Sequence, residues 1–95
     1  MYEIKFRKSV KKDFKRLDSG AREMIVGEIL PALSLNPRQG EKFRTKKISL
    51  WKFGFSFNGV EYRIIYDIYE QELVILVIMI GSRENFYRKL NLRLR

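Results

Sequence analysis

The sequence contains neither cysteine nor histidine. Without cysteine there is no disulfide framework, no thiolate metal site and no thiol nucleophile. Without histidine the chain lacks the commonest general base and the commonest zinc ligand. Any catalysis must come from lysine, arginine, tyrosine, serine or carboxylates. Prolines number two in 95 residues, and no linker-like or repeated stretch divides the chain. Residues 1–95 therefore read as one domain with one core. The longest apolar run, Leu73 to Ile80, is eight residues long. A membrane-spanning helix needs about 20. The opening Met1-Tyr2-Glu3-Ile4-Lys5 has no apolar signal segment, so the expected location is cytoplasmic.

Acidic residues are also scarce. Eleven Asp and Glu stand against 20 Lys and Arg, a net charge of +9. Solubility alone asks for a magnitude of about 2–8 in a small domain. The excess implies anionic partners: nucleic acid, an acidic protein or a membrane surface. Hydrophobic residues make up 45% of the chain, enough for a packed core and against disorder.

Tyr2, Ile4 and Phe6 alternate with Glu3 and Lys5, which predicts a short strand. Val10, Phe14 and Leu17 make a helical stripe on an otherwise basic segment, Ser9 to Leu17. Asp18-Ser19-Gly20 breaks that helix and offers a cap for a second. The second carries Ala21, Ile25, Ile29 and Leu33 on one stripe, with a kink expected near Pro31. Asn36-Pro37 ends it. Residues 38–47 read as a polar, basic loop.

Trp51, Phe53, Phe55 and Phe57 then alternate with Lys52, Gly54 and Ser56. Asn58-Gly59 is a strong signal for a two-residue type I′ hairpin. The return strand runs from Val60 to Tyr69, Glu70-Gln71 turns the chain, and Leu73 to Ile80 reads as a strand buried on both faces. A short helix is expected from Arg83 onward, fraying over Arg93-Leu94-Arg95. The fold class is α+β, strand-helix-helix-strand-strand-strand-helix. An antiparallel twisted sheet carries two N-terminal helices on one face and a short C-terminal helix.

A two-residue turn fixes a register. Phe57 pairs with Val60, Phe55 with Tyr62 and Phe53 with Ile64 on the apolar face. Ser56 lies across from Glu61, Gly54 from Arg63 and Lys52 from Ile65 on the other. Lys52 and Arg63 thus project from one side of the sheet, and Gly54 leaves space over Arg63. Arg83 and Tyr87 are four residues apart, one helical turn, so they would face the same way. Two arginines, a lysine and a phenol on so basic a chain suit a phosphodiester. Each has a plainer reading: Arg63 paired with Glu61 or Asp67, Arg83 and Tyr87 as a capped helix with an amphipathic tyrosine at the core edge, Lys52 solvated. Lys11, Lys12 and Lys15 on the first helix, with Arg44, Lys46 and Lys47 in the basic loop, are candidate RNA contacts. The plain alternative is a solvated face.

Three pieces in order carry a family resemblance: Leu50-Trp51-Lys52-Phe53, Tyr62-Arg63-Ile64-Ile65-Tyr66, and Ile80-Gly81-Ser82-Arg83-Glu84-Asn85-Phe86-Tyr87. With them the chain resembles the RelE/ParE superfamily of bacterial toxins over nearly its whole length. RelE-like members cut messenger RNA in the ribosomal A site, whereas ParE-like members poison DNA gyrase. The resemblance implies catalytic roles for Lys52, Arg63, Arg83 and Tyr87, and favours the nuclease branch. It implies attack of a 2′-hydroxyl on phosphorus, leaving a 2′,3′-cyclic phosphate, with no metal and no cofactor. Arg63 would hold the phosphate and Arg83 would stabilise charge on the leaving-group side. Tyr87 would orient the nucleotide or act as base, and Lys52 would bind phosphate. Where related nucleases carry a second cation two residues after the first, this chain has Gly54. Glu41 and Glu61 are alternative bases. The resemblance also implies a cognate antitoxin partner. A gyrase poison, or a relative that only binds nucleic acid, is the alternative.

Overall fold

Asn58 and Gly59 both adopt left-handed backbone, with φ of 54° and 78°. The chain therefore reverses within two residues, as a type I′ turn demands. The strands on either side are β3 (Ser49–Phe57) and β4 (Val60–Tyr69). Their register is the expected one at every pair, including Gly54 with Arg63 and Lys52 with Ile65. The computed structural model describes residues 1–45, 48–84 and 86–94.

The remaining strands are β1 (Glu3–Phe6), β2 (Glu41–Arg44) and β5 (Val74–Ser82). They join β3 and β4 in one sheet of order β1-β5-β4-β3-β2. Two expectations fail here. The sheet is mixed, because β1 runs parallel to β5, Glu3 opposite Val74 to Phe6 opposite Val77. The segment expected as loop also contains β2, which pairs antiparallel with β3, Glu41 opposite Lys52 and Phe43 opposite Leu50. β2 is a charged edge strand with one aromatic residue. Such an edge gains its structure from the neighbour's open hydrogen bonds rather than from its own pattern.

Helices cover both faces. α1 (Val10–Arg16) is followed by a continuous helical run: α2 (Ser19–Met24), a π-turn (Ile25–Ile29) and α3 (Leu30–Leu35). The Asp18 side chain accepts the Gly20 N–H at 2.8 Å and starts that run. The kink expected near Pro31 takes the form of the π-turn just before it, where the Leu30 N–H reaches back to the Ile25 carbonyl. Pro31 has no N–H to give. The stripe also favours a wider turn. Residues spaced by four drift about 40° per step on a 3.6-residue helix, and Ala21, Ile25, Ile29 and Leu33 are nonetheless all buried. They pack with Val10, Leu17, Tyr62, Ile64, Tyr66, Ile75, Val77 and Ile80 in the larger core.

The opposite face is covered by α4 (Phe86–Arg93), whose Phe86 and Leu90 bury against Leu50, Ile65, Ile78 and Met79. β5 therefore contributes to both cores, as its unbroken apolar run predicts, although it begins at Val74 and Leu73 is half exposed. Helix α4 starts three residues later than expected. The Arg83 N–H still donates to the Glu61 carbonyl at 2.9 Å, and the Phe86 N–H donates to the Arg83 carbonyl. Arg83 thus ends the strand rather than opening the helix. Arg93 does not fray: Asp13 and the Ile78 carbonyl hold it. Among the described residues no helix is long and apolar enough to cross a membrane.

Candidate active site

Lys52 and Arg63 project from the face that α4 covers, because that face takes the even residues of β3 and the odd residues of β4. The first turn of α4 places Tyr87 over them. The Lys52 ammonium donates to the Tyr87 hydroxyl at 3.1 Å. It also lies 5.8 Å from the Phe43 ring centre and 5.7 Å from that of Tyr87. The Arg63 guanidinium lies over the same ring, 5.4 Å from its centre. Such contacts hold a cation over an aromatic face while leaving its charge uncompensated. Three of the four expected catalytic residues are thereby brought together.

The salt bridge weighed for Arg63 does not form. Among the described residues neither Glu61 nor Asp67 pairs with it; Glu61 instead accepts from Arg83 at 3.1 Å. Asp67 turns to the neighbouring Ile68 N–H. Arg63 lies opposite Gly81, the last pair of the β4–β5 ladder is Tyr62 with Ser82, and just past it, two residues beyond Gly81, stands Arg83. Its side chain is exposed and held by Glu61. Since it precedes α4, it does not share a helical face with Tyr87, contrary to the spacing argument.

Beside Arg63 is a cleft of about 340 Å³ lined by Gln39, Gly40, Glu41, Lys52, Phe53, Gly54 and Arg63. Gly54 opens it: a Cβ there would have only the Tyr62 carbonyl oxygen nearby, at 3.8 Å. Glu41 brings the one carboxylate in that lining, 3.8 Å from the Lys52 ammonium. Sequence reasoning kept Glu41 only as an alternative base. Its place in the site follows from β2, the strand that the sequence hid. A lone aromatic between charges, Glu41-Lys42-Phe43-Arg44, is the one signal that was available.

The candidate RNA contacts divide. Lys11, Lys12 and Lys15 are exposed on α1, in the helical layer, and Arg44 is exposed on the edge strand β2. Val10 and Leu17 tie α1 to the larger core, across the sheet from the cleft. Lys46 and Lys47 lie outside the described residues. The described residues include no group of three or more His, Cys, Asp or Glu side chains placed to hold a metal.

Over residues 4–91 the chain matches the family described as ParE-like toxin of type II bacterial toxin–antitoxin system. It is similar to an Escherichia coli protein named for its RelE-like toxin character, 24% identical over 83 residues, 87% of this chain and 84% of the relative. The isolated E. coli RelE toxin shares the fold with a TM-score of 0.70, at 24% identity over 100% of both chains. An E. coli RelE variant solved with a peptide of its antitoxin matches with a TM-score of 0.71 and 25% identity, covering 94% of this chain and 93% of that one. A chain of the RelBE2 toxin–antitoxin complex of Mycobacterium tuberculosis gives 0.71 at 19% identity, over 86% and 98%.

Proposed function

The chain belongs to the family of ParE-like toxins of type II bacterial toxin–antitoxin systems, and on that premise we propose that it is an endoribonuclease acting on messenger RNA at the ribosome. The observation that carries this reading is Arg63. It is a half-buried cation without an acidic partner among the described residues, seated on Tyr87 and open to a cleft that Lys52 also lines. A structural arginine in an apolar strand normally finds a carboxylate. This one keeps its charge available for a substrate anion.

In the reaction, the RNA 2′-hydroxyl gives its proton to the Glu41 carboxylate and its oxygen bonds to the adjacent phosphorus. The bond from phosphorus to the 5′ oxygen breaks, and that oxygen takes a proton from water; the hydroxide so formed takes the proton held by Glu41, which restores the carboxylate. The products are a 2′,3′-cyclic phosphate and a 5′-hydroxyl. Arg63 binds the phosphate and stabilises the charge that accumulates on it. Lys52 adds a second positive charge and orients Tyr87, which holds the nucleotide. Arg83 contributes charge on the leaving-group side. A guanidinium, a fork of N–H donors, suits that role better than proton donation. The exposed lysines of α1 supply salt-dependent affinity for nucleic acid. An acidic amphipathic antitoxin segment is the partner that would cover this surface.

The test is controlled expression with mapping of RNA ends. Translation stops, and cut messages end in cyclic phosphate. Arg63→Ala slows cleavage by about 10²-fold or more, whereas Lys12→Ala costs little beyond a shallower salt dependence. Equal small effects at both positions would leave general charge, with no site, as the explanation. Continued translation with DNA breaks at gyrase sites would place the protein with gyrase poisons instead.

A further inference from the structure

One buried hydroxyl ties to the sheet the segment that carries the chain from the helical layer to β2, while the Gln39 side chain ties it to the Ala32 and Asn36 carbonyls. Tyr66 is fully buried, at 0% exposure, on the helical face of β4. Its hydroxyl donates to the Pro37 carbonyl at 2.7 Å, and the Gly40 backbone hydrogen-bonds the same hydroxyl. A Cβ on Gly40 would lie 2.5 Å from the Tyr66 oxygen and 2.6 Å from the Lys52 carbonyl oxygen. Only glycine lets the chain pass so close to both. The next residue is Glu41, opposite Lys52 in the ladder. The Glu41 side chain is 80% exposed, so packing does not hold it in place. Its position comes from the backbone beneath it. Tyr66 closes the stretch Tyr62-Arg63-Ile64-Ile65-Tyr66, of which the site itself uses only Arg63.

We propose that Tyr66 is a positioning residue: its hydroxyl anchors residues 37–40 to the sheet and thereby sets Glu41 against Lys52 in the cleft beside Arg63. The catalytic consequence rests on the nuclease reading; the anchoring does not. Burial pushes the phenol up to about 12, so the hydroxyl keeps its donated proton under any physiological condition. Trp51 opposite Tyr66 and the surrounding aliphatic core hold the ring. Removing the oxygen alone therefore takes away the sheet anchor of the Pro37–Gly40 segment without emptying the core, and leaves the bonds of Gln39 to the Ala32 and Asn36 carbonyls and the exposed Arg38–Glu70 pair.

Tyr66→Phe makes that change. Amide hydrogen exchange is expected to speed up in Glu41–Arg44 while the β4–β5 amides keep their protection. Unaltered exchange in β2 would overturn the anchoring. In cleavage assays Tyr66→Phe lowers kcat by roughly 10-fold or more, as small misplacements of a reacting group do, and leaves KM unchanged. In a Glu41→Gln background the same change costs nothing further, because the group it positions is already gone. Losses that multiply would overturn the route through Glu41 and leave Tyr66 as a fold residue. If Glu41→Gln cuts RNA as well as the parent, the base assigned above fails, and the catalytic half of the proposal falls with it. The exchange result then decides the anchoring alone.

Discussion

Arg93→Met should destabilise the fold by about 3 kcal/mol, and the reason lies in an unfinished sheet edge. β1 stops at Phe6, opposite Val77, while β5 continues to Ser82. Beyond Val77 the outer edge of β5 has no strand beside it among the described residues. Ile78 is moreover a bulge, since Ile65 pairs with Met79 and Tyr66 with Val77. Side chains replace the missing strand. The Ile80 N–H donates to Asp13 at 3.0 Å, and the Ile78 carbonyl accepts from Arg93 at 3.2 Å. The two side chains close on each other with bonds of 2.6 and 2.9 Å. Asp13 is 6% exposed and Arg93 21%, so removing the arginine strands a buried carboxylate. Breaking a buried pair costs about 3–5 kcal/mol, and the partial exposure of Arg93 argues for the lower end. In a domain of this size the melting temperature should fall by roughly 12–24 °C. Asp13→Asn keeps an acceptor for Ile80 and should cost only about 1–2 kcal/mol. The double variant should lose less than the sum. Urea and thermal unfolding at constant m-value measure all three. A loss below about 0.5 kcal/mol for Arg93→Met would show that the pair behaves as an exposed one, and the edge-closure argument would fall.

Gly54→Lys should fold and should raise the single-turnover cleavage rate, because the site has room for a Cβ and lies opposite Arg63. Repulsion from Lys52 and Arg63 should lower the melting temperature of the RNA-free protein slightly, and a folded but inactive variant would show that the substrate backbone needs that space. Tyr66 makes stability fall as the pH rises from 10.0 toward about 12, since the unfolded phenol ionises before the buried one. The slope is at most about 1.4 kcal/mol per pH unit, and alkaline unfolding of Tyr66→Phe should lack that component. Cleavage should leave cyclic phosphate ends and should survive chelation, with ribosomal magnesium held constant. Activity lost to a chelator and restored by manganese would sink the 2′-hydroxyl mechanism as drawn.

The hairpin was legible to the residue, because Asn58-Gly59 admits one turn and the turn admits one register. The placement of Lys52, Gly54 and Arg63 on one face follows from that register. The stripe of Ala21, Ile25, Ile29 and Leu33 was equally legible, although the π-turn that lines it up was not. The parallel β1–β5 pairing was hidden, since a four-residue strand carries no mark of its neighbour and a series of hairpins suggests an antiparallel sheet. β2 was hidden by its charge, and Glu41 with it. The buried Asp13 lies in the basic first helix but outside its apolar stripe of Val10, Phe14 and Leu17. A single acid within Lys11-Lys12-Asp13-Phe14-Lys15-Arg16 was the available sign of a buried pair. The spacing of Arg83 and Tyr87 misled for a different reason: a backbone bond to Glu61 extends the strand and delays the helix.

If the protein cuts RNA as proposed, ion pairing decides which cation would meet a phosphate first. Among the described residues the ion pairs are Arg38–Glu70, Lys52–Glu41, Arg83–Glu61 and Arg93–Asp13. Two of the four acids, Glu41 and Glu61, therefore stand beside site cations. Arg63 has an aromatic ring for a partner, which leaves its N–H groups open to the cleft. On the proposed nuclease reading, phosphate would settle there without displacing anything. At Arg83 it must displace Glu61, but that pair is 70% and 54% exposed, and such pairs contribute roughly 0–1 kcal/mol. Glu61→Gln should therefore tighten RNA binding by no more than about 5-fold and leave the cleavage step unchanged. Titration of a non-cleavable RNA carrying a 2′-deoxy linkage measures the binding, and single-turnover cleavage measures the step. A gain of about 10²-fold in binding, near 2.7 kcal/mol, is more than an exposed pair can withhold. It would mean that Glu61 guards the whole site rather than one guanidinium, and the order in which Arg63 and Arg83 engage the phosphate would have to be reversed.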